Sequence, residues 1–204
     1  MTRYIGLFFI MIFSSSCVKT NSNADLSIFR YNESSGISTL DPAFSKDQAT
    51  IWATNQLFNG LVQLDSLLNV KPSISKSWSV SSDLLVYTFI LRDDVFFHDH
   101  KLFKEGMGRK VIASDFEYSF SRIIDKDLAA PGMWVFSNVR SFTAINDSIF
   151  TISLKKPFPA FLSLLSMQYC SVVPYEIVEA GSFSRYPIGT GPFQFQFWED
   201  GVKL

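Results

Sequence analysis

The chain has 204 residues, 47% of them hydrophobic and 18% charged, which is enough apolar material for at least one sizeable buried core. Eighteen Lys and Arg against nineteen Asp and Glu leave a formal net charge of -1, so no electrostatic footprint marks nucleic acid or an anionic membrane surface as a partner. The two cysteines, Cys17 and Cys170, are too few for a disulfide-stapled fold and sit in different contexts, so they are expected not to pair.

The amino-terminal stretch reads as an export signal. Arg3 supplies a positive start, Tyr4 to Phe13 form an apolar run too short to cross a bilayer, and Ser14, Ser15 and Ser16 place small side chains before Cys17. Small residues followed at once by a cysteine resemble a bacterial lipobox, which implies acylation of Cys17. The pattern departs at Ser14, where a lipobox has Leu, so ordinary cleavage beside an incidental cysteine stays open. Residues 18–25 then form a short polar linker.

Leu26 to Tyr31 suit a strand, and Asn32 to Thr39 suit a loop. Ser45 with Gln48 makes a capping box that predicts a helix over 46–59, stopped by Gly60. Leu61 to Leu64 and Trp78 to Val80 are short strand candidates. Val86 to Arg92 is a stronger one, apolar on both faces and expected to be covered on both. A second box, Ser114 with Glu117, opens a helix with Phe116, Phe120, Ile123 and Ile124 on one stripe and Asp115, Glu117 and Arg122 on its polar face. Val139 to Ile145 and Ile149 to Leu154 flank Asn146, Asp147 and Ser148, a hairpin whose turn residues tolerate positive φ. Phe158 to Leu165 suggest a short helix, Cys170 to Val173 a buried strand, and Phe193 to Trp198 a last strand. Helices and strands are mixed throughout, which gives an α/β or α+β class.

Seven stretches, taken in order, resemble the bacterial extracellular solute-binding proteins of family 5, the oligopeptide and dipeptide binders of ABC importers. They are Thr39–Pro42, Leu57–Val62, Lys76–Ser81, Tyr87–Asp99, Ser114–Arg122, Leu154–Leu162 and Pro187–Phe193, the fourth being the most diagnostic. The resemblance covers about residues 26–200 and implies a periplasmic-binding-protein-like type II fold. One lobe with an appended subdomain would be present and the carboxyl-terminal lobe missing. It divides the chain into lobe I first segment, 26–60, appended subdomain, 61–155, and a return to lobe I, 156–204, truncated at Leu204. It implies an exported, periplasmic or cell-surface protein with a peptide or small-solute ligand, ABC permease partners, a lipid anchor at Cys17, and neither a cofactor nor enzymatic activity. A nickel- or haem-type solute binder of the same family and a non-binding remnant are the alternatives it leaves.

By the same resemblance, Glu33, Ser35 and Ile37 lie where the family lays its backbone beside an extended peptide, with Glu33 facing a ligand amine. A plain solvent-exposed turn fits these residues as well. Trp134 is a ligand-facing aromatic or a seal on the core. Gly191 is a ligand contact or, with Gly189, part of a tight turn. His98, Asp99 and His100 are the one cluster of metal-ligand residue types. His98 and Asp99 match the family's structural turn, in which His100 replaces a Gly, and no metal site is expected there. The sequence has no G-x-S-x-G elbow, H-E-x-x-H or P-loop.

Overall fold

The computed structural model describes residues 30–204. The expected signal peptide, Cys17, the polar linker and most of the first expected strand fall outside the described residues; Arg30 and Tyr31 are not in a strand. The chain divides into two units, Met1–Asn32 and Glu33–Leu204, and the second holds every helix and strand among the described residues. No helix among them is long and apolar enough to cross a membrane.

The first helix, α1, spans Gln48–Leu57. Its cap is Asp47, whose carboxylate accepts from Thr50 N at 2.9 Å, and not Ser45. Ser45 is buried, donating to Asp41 O at 3.3 Å and to Thr54 Oγ1 at 3.1 Å. Gly60 is not the expected left-handed stop. It bridges Ser171, and a Cβ there would lie 3.2 Å from Cys170 O, so its smallness serves a close backbone approach.

Strands β1, Val62–Leu64, and β2, Val70–Pro72, form a two-stranded hairpin. A four-stranded antiparallel sheet follows, built from β3 (Ser75–Val80), β4 (Val86–Leu91), β5 (Val139–Asn146) and β6 (Ile149–Leu154) in the order β3-β4-β6-β5. Helix α2, Ala113–Ile124, packs on β5 and β6. Its Phe116, Phe120 and Ile123 are buried as the stripe predicts, whereas Ile124 is exposed. Phe120 meets Phe136, Phe142 and Phe150 with ring centroids 4.8 to 5.7 Å apart, forming the aromatic centre of the core.

Strand β4 is covered on one face only. Tyr87, Phe89 and Leu91 are buried, but Val86 and Ile90 are exposed, and Thr88, Thr151 and Thr143 align across the open face. Antiparallel sheets tolerate one solvated face, so apolar side chains on both faces of a strand do not require two covering layers. The β5–β6 hairpin is present as expected, but its turn needs no positive φ: Asn146 Oδ1 accepts from Ser148 N and Ile149 N, each at 2.9 Å.

Short helices α3, Phe161–Leu164, and α4, Tyr175–Glu179, complete the regular elements. Between them, residues 170–173 are buried, but they form a 3-10 turn and a single bridge at Ser171 in place of the expected strand. Cys170 lies in the core as a free thiol whose pKa burial pushes up. Residues 193–198 are also not a strand. Side chains hold that region: Arg185 stacks 4.2 Å from the Trp198 ring and pairs with Asp200, and Tyr186 meets Phe195 edge-on.

The Asp47 cap yields a pH prediction. Hydrogen bonding from Thr50 N holds its carboxyl below the usual carboxylate range, so its stabilisation is present above the unfolded value and is lost as pH falls through the folded one. Asp47→Ala should lower urea-unfolding stability by about 1 kcal/mol at neutral pH, and the gap should close as pH falls through the folded value. A gap independent of pH would contradict the assignment.

Candidate functional site

Two arginine clamps fix the frame around the segments that the sequence singles out. Asp41 sits between Leu40 and Pro42, both buried, and pairs with Arg122 near the carboxyl end of α2; Arg122 Nη1 donates to Asp41 Oδ1 at 3.0 Å, and Nη2 engages Oδ2. Asp41 Oδ1 also accepts from Ala43 N at 3.0 Å, capping the 3-10 turn Pro42–Phe44. The Arg122 guanidinium lies 5.8 Å from the Phe183 ring, and Leu40 N donates to Ser184 O at 2.8 Å. Three stretches distant in sequence therefore meet at one ion pair.

The second clamp holds the other end of α2. Arg109 Nη2 donates to Asp115 Oδ1 at 2.7 Å and to Glu176 Oε2 of α4 at 2.9 Å, and its guanidinium lies 5.1 Å from the Phe97 ring and 5.6 Å from Tyr175. Asp115 reaches back to Ile112 N at 2.9 Å, so the helix cap is Asp115 at its third position and not the Ser114–Glu117 box. Glu117 accepts instead from Ala144 N at 3.0 Å. Asp115 and Arg122, read as part of the polar face of the helix, are thus members of largely buried ion pairs. One sequence feature points that way: Asp41 is a charge flanked by apolar neighbours.

Glu33, Ser35 and Ile37 occupy one loop leading into this frame. Glu33 Oε1 accepts from Ser35 N at 3.0 Å, which folds the carboxylate back on its own loop; Ser35 is exposed and Ile37 packs against the core. Trp134 lies in the 3-10 segment Pro131–Phe136, which packs against Pro42–Phe44. The indole is 52% exposed, so it does not seal the core. Gly191 is buried, its N–H donating to Leu57 O at 2.9 Å and its carbonyl accepting from His98 Nε2 at 2.8 Å. A Cβ at Gly189 would lie 1.9 Å from Leu57 O and one at Gly191 2.3 Å from Gln56 O, so this turn needs glycine for close approach to the end of α1.

The histidine cluster is structural in its contacts. Asp99 Oδ1 accepts from Gly108 N at 2.7 Å, and His100 Nδ1 accepts from Leu102 N at 3.3 Å. Burial, with Lys101 adding to it, lowers the His100 pKa. Among the described residues no group of three His, Cys, Asp or Glu side chains is placed to hold a metal ion. A cleft of about 580 Å³ opens between α2 and α4, with Tyr118, Arg122, Asp125 and Glu179 in its walls. Tyr118 donates to Glu179 at 2.6 Å, and burial together with that carboxylate raises the phenol pKa. None of Glu33, Ser35, Ile37, Trp134 or Gly191 lines this cleft.

The model of the bacterial extracellular solute-binding proteins, family 5 (middle), matches residues 69–204. The chain belongs to this family. It is similar to the glutathione-binding protein GsiB of Salmonella typhi, 27% identical over 174 residues that cover 83% of this chain and 32% of that protein. Among solved structures, Helicobacter pylori DppA in complex with peptide STSA is 30% identical at a TM-score of 0.71, covering 79% of this chain and 35% of that one. Campylobacter jejuni NikZ in complex with Ni(L-His) is 34% identical at a TM-score of 0.68, covering 82% and 32%. The chain therefore spans about a third of the length of these family members. The mixed α/β architecture is that of periplasmic binding proteins, and the relatives are solute-binding proteins rather than enzymes.

The Asp41–Arg122 pair is testable by double-mutant cycle. Arg122→Met should cost about 3–5 kcal/mol in urea unfolding because it strands a buried carboxylate, and adding Asp41→Asn should recover part of that loss. Additive losses would show that the pair is not coupled.

Proposed function

We propose that this chain forms part of the substrate-binding component of an ABC importer, which captures oligopeptides or related solutes without altering them. The observation that carries the reading is the family match over residues 69–204. In this reading, residues 26–60 and 156–204 belong to one lobe and residues 61–155, with the four-stranded sheet and α2, to a subdomain appended to it. The loop at Glu33, Ser35 and Ile37 offers backbone to an extended ligand, and Trp134 presents its exposed ring. Gly191 contributes shape, since its N–H is already engaged with Leu57. Export, acylation of Cys17 and docking on a permease complete the proposal, with closure around the ligand coupling capture to transport.

The likeness to NikZ in complex with Ni(L-His) favours a second reading, in which the solute is a metal chelate. His98 and His100 are engaged within the chain, so such a metal would arrive with ligands of its own.

A thermal-shift screen decides between the two. Pools of di- to hexapeptides at about a hundredfold excess over Kd should raise the Tm of the chain, or of any longer product of the same reading frame, by about 5–10 °C. A response to nickel with histidine alone would favour the second reading. Silence towards every pool and the chelate would overturn both.

A further inference from the structure

We infer that His98 is a positioning residue that sets the Gly189–Gly191 turn through one ring tautomer, and this rests on reading Gly191 as part of the binding surface. His98 grips the turn twice: its backbone N donates to Gly189 O at 2.9 Å and its Nε2 lies 2.8 Å from Gly191 O. A carbonyl oxygen only accepts, so the proton of that bond sits on Nε2. Among the described residues, Nδ1 is buried without a hydrogen-bond partner. Moving the proton to Nδ1 would break the bond to Gly191 and bury a donor that nothing accepts, which selects the Nε2–H form.

The other hydrogen bonds of the turn go to the end of α1 and Asn59. The turn's two glycines carry no side chains, and the clearances above leave no room for any. Thr190 Oγ1 donates to Asn59 Oδ1 at 3.1 Å, and the N–H groups of Gly191 and Phe193 donate to Leu57 O and Gln56 O at 2.9 and 3.0 Å. These contacts press the turn onto the end of α1. The Gly191 carbonyl is held by His98, which comes from a different stretch of the chain. His98 lies 93 residues away in sequence, directly after β4 and its connection, so the imidazole ties the sheet-bearing region to the turn.

The test uses the whole chain and two variants. Nitrogen-15 NMR of the wild-type ring should show the proton on Nε2 and none on Nδ1. His98→Phe keeps a ring but removes the donor, and it should speed amide exchange at Gly191 and Phe193 by about tenfold, the scale of one lost hydrogen bond. His98→Gln places an amide N–H near the Nε2 position and should stay within about twofold of wild type. A proton on Nδ1, unchanged exchange in the Phe variant, or equal acceleration in both variants would overturn the inference. If the Phe variant fails to fold, the wild-type tautomer and the Gln variant still decide. The peptide-pool thermal shift on the wild type is read separately. A silent wild type with the tautomer and exchange results as expected would sink the proposed function and leave the positioning role standing.

Discussion

The Asp41–Arg122 ion pair is the contact on which the arrangement of the chain depends. Arg122 comes from the last turn of α2 and Asp41 from a buried turn 81 residues earlier, with Phe183 and Ser184 completing the junction. Withdrawing two charges from water is costly, and their attraction offsets that cost only when the remaining lone pairs and protons are also used. Asp41 meets that condition by capping Ala43 while accepting both guanidinium nitrogens. A hydrophobic pair of similar volume could match its stability, but not its direction. The pair joins helix and turn through two directed hydrogen bonds, and the Arg109 clamp at the other end of α2 repeats the device with Asp115 and Glu176.

Much of this fold was legible because local pattern and tertiary demand agree. The β5–β6 hairpin follows from two apolar alternating runs around Asn146, and the stripe of α2 follows from Phe116, Phe120 and Ile123 at helical spacing. Misreadings arose where a neighbour far in sequence takes over a local role. Ser45 has the chemistry of a cap, yet Asp47 is better placed and Ser45 turns inward to Thr54. Residues 170–173 are apolar enough for a strand but meet Gly60 at only one bridge, and residues 193–198 find side-chain partners without a ladder. In β4 the composition gave no sign of which face would stay open, because Val86 and Ile90 are as apolar as the residues beneath.

The proposed site rests on resemblance more than on chemistry. Capture without catalysis requires neither paired carboxylates nor a nucleophile, and the proposed residues lie in loops and a 3-10 segment. Glu33 shows the limit of residue type as a guide: a carboxylate suited to a ligand amine is bonded to the backbone of Ser35. The His98–Gly191 contact left no trace in spacing, since the two residues are brought together only by the return of the chain to α1.

The proposed capture without chemistry is tested most directly by mass. The chain is incubated with a defined peptide mixture, the complex is isolated, the solute is released by denaturation, and its mass is measured. The account predicts recovered peptides identical in mass to those supplied. Shortened or covalently altered peptides, or no retained solute of any kind, would contradict it.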